Sequence, residues 1–285
     1  MPLPLLAPGL ALASSGLWGA ADFVGGVVSK RLPSVAVVAW SQAAGLIAVG
    51  LVALTTGAVR DPTGWVPWAV LAGAAGASAL VAFYAALASG TMGVVSPIAA
   101  LGAVVPVTAG VVAGERPSSL QVAGIGLALA GAALASGPEL RPSPDGRRGG
   151  ARPVLLAVLA AVGFGVTLLA VGRGAESSPL MTLVGMRVTS VTAFVLAGVL
   201  LRTVGGVRPR DAPVLAAVGL ADVGANLCFG LASTLGLLSL TAVLGSLYPV
   251  VTVLLARVVL HERLAPVQLV GVGGALAGIA CIALG

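Results

Sequence analysis

The chain is short of charge. Only 8% of its 285 residues are Asp, Glu, Lys or Arg, against about 25% in an ordinary soluble domain. So thin a supply cannot coat a water-soluble globule, which excludes a soluble enzyme, a nucleic-acid-binding domain and a disordered chain. Histidine is nearly missing: His261 stands alone, so the histidine clusters of metal or di-iron chemistry have nothing to form from. The two cysteines, Cys228 and Cys281, lie inside apolar runs, which speaks against a disulfide framework or a zinc site. There is no P-loop, and Gly271-Val272-Gly273-Gly274 sits in an apolar run with no strand before it, so no nucleotide, dinucleotide, metal or other cofactor is expected. The net charge of +6 implies no nucleic-acid partner, because the basic residues crowd into short loops.

What fills the chain instead is apolar: 58% hydrophobic residues and a mean hydropathy of +1.11. The partner such a surface needs is the lipid bilayer. A helical span takes about 20 mostly apolar residues, and the runs between clusters of charge, Pro and Gly fall at 9–29, 34–56, 65–88, 93–113, 118–136, 153–172, 180–201, 212–233, 238–260 and 266–284. These runs lack the period-two alternation of a membrane barrel and are too long for strands. The expected fold is therefore all-α, an integral membrane protein of ten transmembrane helices. No basic segment precedes the first run, so no cleaved signal peptide is expected. The one long polar stretch, Gly137–Arg152, lies near the midpoint.

The two sides of that linker repeat each other. Trp18-Gly19 and Pro33 match Phe164-Gly165 and Pro179 at a spacing of 146. Gly76, Gly93, Ser96, Leu101, Gly102 and Pro106 match Gly219, Gly236, Ser239, Leu244, Gly245 and Pro249 at 143. Glu115-Arg116, Gln121, Gly124 and Gly131 match Glu262-Arg263, Gln268, Gly271 and Gly278 at 147. The jump from 143 to 147 adds four residues, about one helical turn, between proline and Glu-Arg pair in the second half. The expected organisation is a first five-helix repeat over 1–136, a linker over 137–152 and a second five-helix repeat over 153–285. Five spans is an odd number, so the second repeat must lie upside down relative to the first. Inverted repeats of this kind build secondary transporters with a substrate site near the midplane.

Three charged residues fall well inside the spans: Asp22, Arg187 and Asp222. Each costs at least about 2.5–3.5 kcal/mol at mid-bilayer, so each demands a partner or a wet cavity. At about 1.5 Å per residue all three share a central layer, and a common cavity follows. Asp222 reads as a proton-coupling or cation-binding carboxylate, or as a buried acid paired with Arg187. Asn226, one turn on, shares its face and is placed to hydrogen-bond substrate. Trp18 and Asp22 share a face one turn apart, and an aromatic ring beside a carboxylate suits an amine or cationic substrate. Arg187 reads equally as a bidentate ligand for a substrate carboxylate or as counter-ion to Asp222. Tyr84 and Gln42 are candidate pathway residues whose plainer reading is interhelical hydrogen bonding. Pro97, Pro106 and Pro249 are expected to bend or break their helices, and Tyr248-Pro249 is a candidate gate. Glu115 and Glu262 read as loop and cap elements: Arg116 precedes Pro117, Ser118 suits an N-cap, and Pro266 suits a first helical turn. Gly110-x-x-x-Gly114 and Gly274-x-x-x-Gly278 permit close helix contact, the latter within one chain or in a homodimer.

Five-plus-five spans, Trp18-Gly19 in the first span, and Gly-Glu-Arg (114–116) or His-Glu-Arg (261–263) after the fourth span of each half resemble the EamA-type transporters of the drug/metabolite transporter superfamily. The resemblance covers nearly the whole chain, and the twice-repeated Pro…Glu-Arg…Gln…Gly pattern is its most specific part. It implies a ten-helix carrier in a bacterial inner membrane that moves small metabolites or drugs, often outward, by alternating access. Transmembrane charge and inverted repetition favour a carrier, with proton coupling open to it, over a passive channel or facilitator and over a noncatalytic scaffold; no enzyme is expected. Orientation pulls two ways. Eleven Lys/Arg flank the spans on the linker side and three on the other, which puts the linker in the cytoplasm, whereas the resemblance implies cytoplasmic termini.

Overall fold

A computed structural model of the chain describes residues 5–89, 92–135, 151–202, 205–260 and 266–284. These residues form twelve α-helices: α1 (Leu6–Val28), α2 (Ser34–Thr56), α3 (Val66–Ser89), α4 (Met92–Ala100), α5 (Val104–Val112), α6 (Ser119–Ala135), α7 (Ala151–Ala175), α8 (Pro179–Leu201), α9 (Ala212–Leu235), α10 (Leu238–Gly245), α11 (Tyr248–Leu260) and α12 (Pro266–Leu284). The expected linker falls largely outside the described residues, as do His261, Glu262 and Arg263. Six helices, α1, α2, α3, α7, α8 and α9, are each long and apolar enough to cross a membrane. The remaining helices are shorter and equally apolar.

The fourth and ninth runs of the sequence are not single helices. Each breaks near its middle, at a 3-10 turn over Leu101–Ala103 and at Ser246–Leu247. The cause is proline. Pro106 and Pro249 have no N–H to give the carbonyls four residues earlier, at Gly102 and Gly245, and a proline ring fits best in a first helical turn; Pro97, also expected to bend or break its helix, lies inside α4 without interrupting it. The helix therefore restarts at Val104 and Tyr248, placing both prolines near the new N-termini. The inserted turn of the second half is visible too, since α5 has 9 residues and α11 has 13.

Helix packing is reciprocal between the halves. α1 lies along α9 as α7 lies along α3; α2 meets α9 as α8 meets α3; α1 meets α10 as α7 meets α4, and α1 meets α11 as α7 meets α5. The repeat mates α2 and α8 pack on each other, as do α6 and α12. Small residues set these distances. A Cβ at Gly219 would run into the Ser41 carbonyl of α2, and one at Gly278 into the backbone of Ala128, so Gly278 joins α6 to α12 within the chain. Gly110 does something other than pack helices: the space beside it holds the Glu115 carboxylate.

The side chains are sorted opposite to a soluble protein. Arg187, Asp22, Gln42 and Asn226 are buried, while Leu200, Val112, Val258 and Ile47 are 66–82% exposed. Apolar exposure on that scale requires a lipid environment. The loops at the two ends carry the remaining polar ties. Ser118 and Gln121 form a reciprocal capping box at α6, with bonds of 3.1 and 2.8 Å, and Ser178 caps α8 by accepting from the Met181 N–H at 3.2 Å. Arg31, after α1, pairs with Asp211 before α9 at 2.8 Å.

Candidate functional site

A cavity lies at the centre of the bundle, between the halves, with about 70 Å³ open to the centres of water-sized molecules. That is room for several waters. One wall is polar, built by Trp18 and Asp22 of α1, Gln42 of α2, and Asp222 and Asn226 of α9. The facing wall is largely apolar, with Leu80 of α3, Phe164 and Leu168 of α7, and Met186 of α8. Gly245, Ser246 and Tyr248 close it at the break between α10 and α11.

Asp222 is the hub of the polar wall. Its Oδ2 receives the Arg187 Nη2–H at 2.7 Å and the Gln42 amide at 3.5 Å. Its Oδ1 receives the Trp18 indole N–H at 3.2 Å and the Asn226 amide at 3.1 Å. Arg187 sits behind the wall, fully buried. Its second terminal nitrogen donates to the Gln42 side-chain oxygen, which also accepts from the Ser190 hydroxyl at 3.0 Å. The guanidinium is thereby engaged by Asp222 and Gln42 rather than turned into the cavity. Helical spacing explains much of this cluster: Asp222 and Asn226 are one turn apart on α9, as Arg187 and Ser190 are on α8.

Asp22 is different. It is 7% exposed, on the same helix face as Trp18, and among the described residues no cation pairs with it. The Tyr84 hydroxyl donates to the carbonyl of the neighbouring Ala21 at 3.5 Å. Tyr84 is itself buried behind the cavity, in space left by the missing Cβ of Gly25. Tyr248, on the cavity wall, packs edge-on to Phe83 with centroids 6.3 Å apart, and its buried hydroxyl has no hydrogen-bond partner among the described residues. Two carboxylates and one guanidinium leave the ionised cluster one negative charge in excess.

Of the residues singled out in the sequence, Trp18, Asp22, Asp222, Asn226 and Tyr248 line the cavity. Tyr84 lies behind the cavity without lining it, Arg187 reaches it only through Asp222 and Gln42, and Pro249 marks the helix break without lining the cavity. Gln42, whose plainer reading was structural, both lines the cavity and bonds Asp222 and Arg187. Phe164, Thr167, Met186 and Ser246 were missed. Phe164 carried a signal, as the repeat mate of Trp18; the others look like any small or apolar residue of a membrane helix.

A model of the EamA-like transporter family matches residues 5–137 and again 151–284. None of the curated proteins matches. A solved crystal structure superposes with a TM-score of 0.77 over 98% of this chain and 96% of its own, at 21% identity, a likeness of fold alone. With one match in each half, nearly end to end, and a lipid-facing apolar exterior, the chain is an integral multi-pass membrane protein that belongs to the EamA-like transporter family.

Proposed function

We propose that the chain is a secondary carrier that moves a small organic metabolite or drug outward across a bacterial inner membrane in exchange for protons. In this reading ten spans form two five-span repeats, one inverted relative to the other, and the halves rock about the central cavity so that it faces each side in turn. The observation that carries the reading is the unequal setting of the two aspartates. Asp222 is pinned by Arg187 and three further donors, so its charge is already balanced. Asp22 faces the same cavity with no cation beside it. An unbalanced carboxylate within a bilayer is costly, so each half-cycle has to neutralise it, by a proton on one side and by substrate on the other. Trp18 and Asn226 orient the substrate on the polar wall, the apolar wall accepts its hydrocarbon part, and Tyr248 gates the break between α10 and α11.

The test is transport in reconstituted vesicles, with a panel of candidate substrates, in the presence and absence of a pH gradient. Asp22→Asn is expected to abolish gradient-driven accumulation and to leave exchange at equal pH intact. Undiminished pH-driven accumulation by Asp22→Asn would remove this mechanism, and ion currents through the wild-type protein would replace the carrier with a channel.

A further inference from the structure

The Glu-Arg pair of the first half has no part in the cavity, yet Glu115 makes a polar contact between the halves. Its Oε1 accepts the backbone N–H of Leu238 at 2.8 Å and its Oε2 that of Ser239 at 3.0 Å. Those are the first two amides of α10, donors that a helix leaves unsatisfied at its N-terminus. Two helices solve this locally, α6 with Ser118 and α8 with Ser178. α10 does not: the residue before it is Leu237, which has the extended backbone of an N-cap but no side chain able to accept. Its cap comes from the other half of the molecule, 123 positions earlier in the chain.

The local structure at Glu115 is shaped to deliver that cap. Gly114 ends α5 in the left-handed region at φ +100, where a side chain would be strained. The reversed backbone lets the Glu115 N–H bond the Gly110 carbonyl at 3.0 Å. A Cβ at Gly110 would lie 2.5 Å from the Glu115 carboxylate, so both glycines leave the acid free to reach α10. The far end of α10 is Gly245, and Gly245, Ser246 and Tyr248 line the cavity. At the same end of the bundle Ser178 bonds Asp61 at 2.6 Å and Ser177 bonds the Pro62 carbonyl at 3.1 Å, again across the halves.

We infer that Glu115 is a latch: a helix cap donated from one half to the other, made when this mouth of the cavity is closed and withdrawn when it opens, with α10 as the lever between the latch and the cavity wall. Separating the halves at this end costs α10 the only cap it has among the described residues, and this sets a barrier on one face of the membrane. Glu115 touches no substrate; it is a positioning residue. The inference rests on the alternating-access reading above.

Thiol labelling tests it without any substrate. In vesicles of known protein orientation, Cys228→Ser and Cys281→Ser remove the native thiols and Ser246→Cys places one on the cavity wall. Adding Glu115→Ala is expected to speed labelling by a membrane-impermeant maleimide from the Glu115 face by about five- to tenfold, the scale of a lost cap, and not from the opposite face. Glu115→Gln, which keeps a carbonyl acceptor, should give the same asymmetry at smaller amplitude, and serves if Glu115→Ala does not fold. Leu237→Asp then separates a latch from a plain helix cap, because it caps α10 without joining the halves. Combined with Glu115→Ala it should restore thermal stability while labelling stays fast. Unchanged labelling, equal acceleration from both faces, or labelling returned to the parent rate by Leu237→Asp would each overturn the latch. Asymmetric labelling in a protein that accumulates nothing under a pH gradient would keep the latch and remove the proton-driven carrier.

Discussion

Asp222→Asn isolates the electrostatics of the polar wall. The substitution preserves shape and removes one charge, leaving Arg187, fully buried, without its carboxylate. Gln42 still offers an oxygen to the guanidinium, but no counter-charge. Two unit charges 4 Å apart attract by about 4 kcal/mol at an effective dielectric of 20, and breaking one partner out of a buried pair typically costs 3–5 kcal/mol. The Asp222 side chain is 15% exposed to the cavity, so water can hydrate part of the defect and the low end applies, about 3 kcal/mol. Tryptophan-fluorescence unfolding in mild detergent reads this directly, and membrane yield should fall with it. The decisive variant is Arg187→Met combined with Asp222→Asn. With both charges gone neither site holds a charge stripped of its partner, and stability should return to within about 1–2 kcal/mol of wild type, a coupling of at least about 1 kcal/mol between the two sites. Wild-type stability for Asp222→Asn, or strictly additive losses in the double variant, would refute the account.

Two other outcomes follow from the packing. Gly219→Ala places a methyl group against the Ser41 carbonyl of α2 and should cost about 1–3 kcal/mol through forced separation of α2 and α9; the same unfolding assay checks it. Tyr248→Phe removes a buried hydroxyl that has no partner, so stability should hold or rise by up to about 1 kcal/mol, while vesicle transport falls if that hydroxyl meets the substrate.

The sequence made the scaffold legible because its signals there are strong and local: long apolar runs, charges at their ends, and a pattern that recurs at near-constant spacing. The polar wall was legible for the same reason. A charge inside a membrane helix has to be accounted for, and Asp22, Asp222 and Arg187 stood out against apolar surroundings. Four things were harder to read. The helix breaks at Leu101–Ala103 and Ser246–Leu247 involve residues as apolar as their neighbours, so only the prolines pointed to them. The direction of Arg187, into the protein and not into the cavity, depends on where Gln42 of another helix places its oxygen. The apolar wall could not be told from the lipid face, since a helix apolar all round has no polar side to set one against the other. Glu115 was readable as a cap element, but the helix it caps belongs to the other half, and no local pattern announces a contact over 123 positions.

The repeat is close in backbone and far from close in chemistry, and the difference bears on how the site works. At the spacings that align the halves, Trp18 corresponds to Phe164, Asp22 to Leu168, Gln42 to Val188, Arg187 to Ser41, Asp222 to Ala79 and Asn226 to Phe83. Every member of the polar wall has an apolar mate, and Ser41, the mate of Arg187 behind it, turns its hydroxyl onto the Val38 carbonyl of its own helix. Reciprocal packing of α1 on α9 and of α7 on α3 therefore creates two equivalent places for a charged cluster, and only one is equipped. A second cluster would add the insertion cost of each further charge, at least about 2.5–3.5 kcal/mol apiece, and would face the first across a cavity with room for several waters. One polar wall opposite one apolar wall instead presents a single electrostatic anchor and a sliding hydrocarbon surface. In the alternating-access proposal, the symmetric backbone would supply two related conformations, and the asymmetric side chains would present the same charges to a bound molecule in both.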